Sequence, residues 1–340
     1  MSNAQIPTPA GQLIPSTENL FKTLLLLTLL FGSFALTQQG VNALADSTLS
    51  NGMAAALKWA LILGMAVWNG VLIVGFAVLA HDAVHKVLFR SLFWNEFWGG
   101  LTAAFALIPF YANRQFHLTH HSYAHQPAHD PENAMHNHPF LYAFTVGSIV
   151  GLNLQYGIFF RNMLRITDRR YTGRVIKDAL FVAIAGVAYF GLVPALGISL
   201  WHTVVPTLLV FPVVFAWRAL SDHYAIPAIE RSTMKKEDIL EADEEAWHRD
   251  REKRNREVTG WVVLTHPWLE WLWSHVNYHE VHHKYPWLSH RHLPQVFAAT
   301  RETQPYLAVK GYWRSLFNLR RLPYYATRAQ MRPFLTTPDW

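Results

Sequence analysis

Long uninterrupted apolar runs, separated by short polar stretches, dominate the first two thirds of the chain. Residues 20–37 form one such run with a single lysine, Lys22, near its start, and residues 59–80 form a second with no charge at all. At about 1.5 Å per helical residue, each reaches across ~30 Å of hydrocarbon. Residues 38–53 between them carry no Lys or Arg, the mark of the non-cytoplasmic side, so the pair reads as a hairpin entering from the cytoplasm. A second hairpin is expected over residues 179–220, whose one formal charge is Arg218, with its external turn between Pro194 and Pro206. Arg161, Arg165, Arg169, Arg170, Arg174 and Lys177 precede it as a basic cytoplasmic loop.

Two further apolar segments, residues 97–111 and 140–160, are ambiguous. The first is short for a span and the second is long enough to be one. From Tyr224 onward the pattern turns mixed and charged, and residues 235–257 alternate acid and base as a solvated helix does. The division is a cytoplasmic N-terminal tail over 1–19, a transmembrane region over 20–224, and a cytosolic cap over 225–340.

Composition agrees with a membrane protein. Hydrophobic residues make up 51% and charged residues 15%, with 14 Trp, 13 Tyr and 21 Phe, too apolar and aromatic for an ordinary soluble domain. The absence of cysteine excludes disulfides, thiolate zinc sites and iron–sulfur or rubredoxin-type centres within the chain, so electrons for any redox chemistry come from another protein. The net charge of +6 invites a nucleic-acid reading, but no nucleic-acid motif is present and the positive-inside rule explains the surplus.

The chemistry is concentrated in three histidine runs: H-D-A-V-H at His81 and His85, H-L-T-H-H at His117, His120 and His121, and H-E-V-H-H at His279, His282 and His283. Residues three or four apart share a helix face, so each run can aim its imidazoles at one centre. A zinc-type site needs three or four ligands, and eight imidazoles imply two metal ions. Joint binding requires all three runs on one membrane face, which holds only if neither ambiguous segment crosses. Both are therefore expected as interfacial or re-entrant helices. The fold expected is an all-α integral membrane protein: four transmembrane helices in two hairpins, two interfacial or re-entrant helices, and a helical cap, with both termini cytoplasmic.

The spacing H-x-x-x-H, H-x-x-H-H, H-x-x-H-H, with a hairpin between the second and third runs, resembles the membrane fatty acid desaturase superfamily over residues 20–295. That resemblance implies two non-haem iron ions, O2 as co-substrate, and removal of hydrogen from an unactivated carbon of a lipid. It makes the eight box histidines iron ligands and adds a ninth, His223, at the end of the fourth span. An asparagine that supports the site in characterised acyl-CoA desaturases is replaced here by Ala219, which leaves Asp222 or Asn277 as substitutes. The superfamily includes desaturases, hydroxylases, carotenoid oxygenases and acid-decarboxylating alkene formers.

Y-H-E-V-H-H-K-Y-P-W followed by L-P looks like the third box region of acyl desaturases, whereas Asp130-Pro131-Glu132 looks ketolase-like. The third box carries more weight, so the resemblance implies a fatty acid desaturase acting on a fatty acyl lipid, with decarboxylase, hydroxylase or ketolase activity as alternatives. No haem-binding signature of a fused cytochrome is present, so a separate ferredoxin-like or cytochrome electron donor is expected. A membrane metal-binding or transport protein is the non-enzymatic alternative. His125 and His129 are expected as loop or supporting residues, His275 as a packed or supporting imidazole, and His136, His138, His248, His266, His290 and His292 at the surface. Asp130 with Pro131 predicts the start of a helix.

Overall fold

A computed structural model describes residues 6–8, 10–228 and 258–337. The charged helix expected at 235–257, and His248 within it, lie outside the described residues.

The two apolar runs at the start become α1 (Ser16–Ala45) and α2 (Asn51–Val84), an antiparallel pair longer than hydropathy alone indicated. Leu26, Leu30 and Phe34 of α1 are wholly buried. The second half of α2 is apolar on all sides because it packs against α1, α3 (Leu92–Phe105) and α7 (Val204–His223). Inside this apolar contact Asn69 clasps three helices: its amide donates to Thr207 Oγ1 at 3.1 Å, and its carbonyl accepts from Ser33. Such bonds between helices pin register where hydrophobicity cannot.

Helix α3 spans 14 residues, about 21 Å, too short to cross a bilayer alone. A turn at 106–109 leads into α4 (Phe110–Tyr123). The deep end of α3 is held by Tyr189 Oη, which donates to Phe105 O at 2.8 Å. The start of α4 is capped by Asp178, whose carboxylate accepts from Tyr111 N at 2.9 Å and Ala112 N at 3.2 Å. Residues 97–111, expected as an interfacial or re-entrant helix, thus bridge two short helices joined by a turn.

Helices α5 (Phe140–Met163), α6 (Tyr171–Ala195) and α7 follow. By length and composition five helices of the described residues can cross a membrane: α1, α2, α5, α6 and α7. The additional one is α5, the segment expected as an interfacial or re-entrant helix.

The cap, residues 258–337, is not purely helical. Trp261–Leu264 (β1) pairs in parallel with Leu307–Lys310 (β2), Trp261 opposite Leu307 and Leu264 opposite Lys310. Both strands are rich in buried branched residues, the condition for pairing in a covered parallel sheet. The chain between them carries helices Pro267–Leu272 (α8), His279–Lys284 (α9) and Leu293–Thr300 (α10). The cap is fastened to the bundle by Trp261 Nε1 to Tyr224 O at 2.9 Å, Trp273 Nε1 to Val71 O at 3.0 Å, and Lys22 Nζ to Ser274 Oγ at 3.1 Å. The N-terminal segment, expected as a tail, lies against the cap: Gln12 Oε1 accepts from Ser289 N at 2.6 Å.

Candidate metal centre

Four elements deliver the imidazoles. His81 sits in the last turn of α2 and His85 caps it; His117, His120 and His121 share the C-terminal turns of α4; His223 ends α7; His279, His282 and His283 lie on the short α9. The helical spacings do what the sequence required of them, and the cap places its own run opposite the other two. All except His81, which is slightly accessible, are buried.

The contacts run between elements. Nε2 of His117 is 3.0 Å from Nε2 of His85, Nε2 of His282 is 3.2 Å from that of His121, and Nε2 of His120 is 3.4 Å from that of His283. His279 Nε2 approaches His223 Nε2 at 2.8 Å. Ligand atoms of His81, His85, His117, His121 and His282 lie within 4.8 Å of one another, as do those of His120, His223 and His283. His279 adjoins the second group through His223, and the groups abut where the rings of His121 and His283 stack at 4.1 Å. All nine expected histidines are therefore brought to one place, in two adjacent sets.

The partners of the outer ring nitrogens make this donor set fit metal ions. A neutral imidazole carries one N–H, and the outer partner decides which nitrogen holds it. His120 Nδ1 donates to Asp130 Oδ1 at 2.9 Å, His223 Nδ1 to Thr259 O at 3.2 Å, and His117 Nδ1 faces Glu132 Oε1 at 3.5 Å. Their Nε2 atoms are then lone pairs, and these are the atoms directed at one another. Carbonyl or carboxylate partners on the far nitrogen are the usual support of metal-ligating histidine. His81 Nε2 is buried without a hydrogen-bond partner. Burial also keeps the ligand forms neutral: it pushes His117 down to about 3, and His121 and His279 well below the ordinary histidine value.

Several neighbours differ from expectation. His136 and His290, expected at the surface, are buried. His290 Nδ1 donates to Asp82 Oδ2 at 3.0 Å, and Asp82 Oδ1 lies 3.8 Å from His81 Nδ1. His136 Nε2 lies 3.3 Å from Glu132 Oε2. Neither proposed substitute for the missing asparagine enters the cluster. Asp222 Oδ2 stands 3.7 Å from the outer nitrogen of His279, and the Asn277 amide donates to Val263 O and Glu270. Glu280 turns away to accept from Thr259 N at 2.7 Å. His125 is a supporting residue, its Nε2 2.9 Å from Thr259 O.

The residue that sequence reasoning missed is Glu132. Asp130 does begin a turn, its Oδ1 accepting from Glu132 N at 2.8 Å before the short helix Asn133–His136. That turn delivers the Glu132 carboxylate into the histidines. Burial opposes ionisation of that carboxyl, and the ring nitrogens of His117 and His136 facing it favour the ionised form. Beside it opens a cavity of about 70 Å³ whose lining includes His81, His117, His223, His279 and Arg218 together with apolar Ala77, Ile108, Phe116, Met135 and Phe215.

Residues 57–315 match the fatty acid desaturase family, and the chain belongs to that family. The family consists of membrane-bound oxidoreductases, in keeping with the histidine cluster and the spanning-length helices. No curated protein gives a significant match to this chain.

Proposed function

We propose that this protein is a membrane-bound, O2-dependent oxidase that holds two non-haem iron ions and removes hydrogen from a fatty acyl chain, acting as a fatty acid desaturase. The observation that carries the reading is the convergence of nine imidazoles, eight of them buried, from four separate elements, with outer partners on His117, His120 and His223 that leave their Nε2 lone pairs facing inward. Five ligands, His81, His85, His117, His121 and His282, would hold one iron, and His120, His223, His279 and His283 the other. When bound, the irons supply the oxidising power of dioxygen that an unactivated C–H bond requires. The chain's own residues position a methylene beside the imidazoles and keep water out, using the apolar wall of Ala77, Ile108, Phe116, Met135 and Phe215. The balance is one –CH2–CH2– unit, O2, two electrons and two protons giving –CH=CH– and two waters. A separate ferredoxin-like or cytochrome donor supplies the electrons.

Chain closure supports four crossings. His121 and His223 belong to one centre, so the segment between them returns to the face it left and makes an even number of crossings. Of α5, α6 and α7 one must therefore stay on that face. The Phe140 ring, at the start of α5, lies 5.6 Å from that of Tyr224 just after His223, and the basic loop follows its end. We assign α5 to the cytoplasmic interface, with α1, α2, α6 and α7 crossing.

Arg218 favours a second reading. Its guanidinium lines the same cavity as three box histidines and His223, and also pairs with Asp222. A carboxylate head group held there brings the carbons next to it to the irons. Loss of a β-hydrogen then releases CO2 and leaves a terminal alkene, with O2 reduced by two substrate electrons and two donor electrons. Iron and product analysis of the purified full chain tests both readings. Two irons per chain and O2-dependent product are expected, and an alkene one carbon shorter than its acid would select the second. Tightly held zinc in native membranes, with no O2 use, would overturn both.

A further inference from the structure

The second histidine group has fewer imidazoles than the first and a carboxylate beside it. We propose that Glu132 is a protein ligand of the metal ion held by His120, His223, His279 and His283, and that His136 positions it; the inference rests on the di-iron reading above.

The placement comes first. Glu132 Oε2 lies 3.9 Å from His223 Nε2, the nitrogen that faces the centre, and 3.3 Å from His136 Nε2. Two atoms each about 2.1 Å from one ion stand roughly 3 to 4.2 Å apart as their angle opens from a right angle to a line. The observed separation falls in that range at a wide angle. Oε1 turns the other way, toward the outer nitrogen of His117 at 3.5 Å, so one carboxylate touches both histidine groups with different oxygens.

The second point is charge. Among the described residues, the ion-pair partners of Glu132 within 4.0 Å are His117, His120, His136 and His223, all imidazoles. An anion at 12% side-chain exposure among neutral imidazoles is costly unless a cation shares the space. An iron ion held by imidazoles alone has the converse deficit, since they bring it no compensating charge. A carboxylate beside two or more imidazoles is a familiar donor set for non-haem iron.

The third point is the architecture that delivers it. Asp130 fixes the turn through Glu132 N, and the turn's far end is locked against α5, where a Cβ on Gly147 would stand 2.4 Å from Met135 O. Ala219 lines the same cavity as Glu132, His136 and His223. Its small side chain, one helical turn before His223, leaves room in the cavity that the carboxylate shares.

The test uses the full chain in lipid nanodiscs, loaded with ferrous ⁵⁷Fe and read by iron counting and Mössbauer spectroscopy. The doublet lost in His223→Ala marks the second site. Glu132→Ala and Glu132→Gln should each weaken iron at that site at least tenfold or shift its doublet, leaving the other doublet unchanged, and Glu132→Asp should partly restore it. His136→Gln should broaden the same doublet without abolishing it. Two irons with wild-type parameters in both Glu132→Ala and Glu132→Gln would overturn the assignment. A change confined to the first-site doublet would also overturn it, reducing Glu132 to an orienting partner of His117. If the wild-type chain does not bind two irons, the di-iron reading itself fails and this ligand with it. Glu132→Gln keeps the side-chain shape, so the comparison survives if the alanine variant does not fold.

Discussion

Asp130 supports two parts of the site at once, the His120 ring and the turn that carries Glu132. Its carboxylate is almost fully buried and accepts three hydrogen bonds: from His120 Nδ1 at 2.9 Å, His125 N at 2.7 Å and Glu132 N at 2.8 Å. It fixes the tautomer of one imidazole and the turn that carries Glu132. Asp130→Asn preserves the shape but replaces one oxygen with an NH2 that faces N–H donors. Loss of such an outer partner typically weakens metal binding about 10- to 100-fold, or about 1.4 to 2.7 kcal/mol. Asp130→Ala strands all three donors in a buried place, each at about 1–3 kcal/mol, so the sum of roughly 3–9 kcal/mol rivals the stability of a domain. We therefore expect Asp130→Asn to fold and to release one iron to a graded chelator at 10- to 100-fold lower competitor strength. Asp130→Ala should yield little folded protein. Two irons held by Asp130→Asn with wild-type affinity would refute the idea that Asp130 sets the His120 tautomer.

Three further outcomes follow from other parts of the molecule. His117, His121 and His279 are held below the ordinary value of about 6.5 in the folded state, so the unfolded chain binds more protons below that pH. Their contribution to iron-free stability is complete above pH ~6.5 and falls as the pH drops below it; thermal unfolding against pH checks this, and a flat profile contradicts it. A Cβ on Gly99 would stand 2.3 Å from that of Ala83, between the two histidines of the first box, so Gly99→Val should push α3 from α2, cost about 1–3 kcal/mol and lower iron content, read as a reduced Tm. Arg165 and Arg169 are exposed on the basic loop, and if they steer an acidic donor, raising salt from low to physiological strength should slow electron delivery several-fold in stopped flow, while an unchanged rate removes them from that role.

The parts of this fold legible in the sequence are those with a period or a run. Unbroken apolar stretches marked α1, α2, α6 and α7, and histidines three and four apart marked the residues that converge. His223 has no box around it and was found only through resemblance. Hydropathy could not place α5, because a helix lying on a bundle and one crossing a bilayer have similar composition, and five helices of the described residues are long and apolar enough to cross. The strand pair was missed because Trp261–Leu264 and Leu307–Lys310 are each four residues long and far apart in sequence. Glu132, His136 and His290 were illegible for a related reason. Their roles are made by a turn and by partners elsewhere, such as Asp82 for His290, and no local spacing announces that.

The most direct test of the central claim is mass spectrometry of lipid and volatile products from membranes given a fully deuterated saturated fatty acid, O2 and a reduced ferredoxin system, beside a His120→Ala control. The account predicts an O2-dependent product that has lost two deuterons at an internal double bond, absent from the control; a product one carbon shorter would move the assignment to the decarboxylase reading. Equal product in the control, or no oxidised lipid from a chain shown to carry two irons, would contradict it.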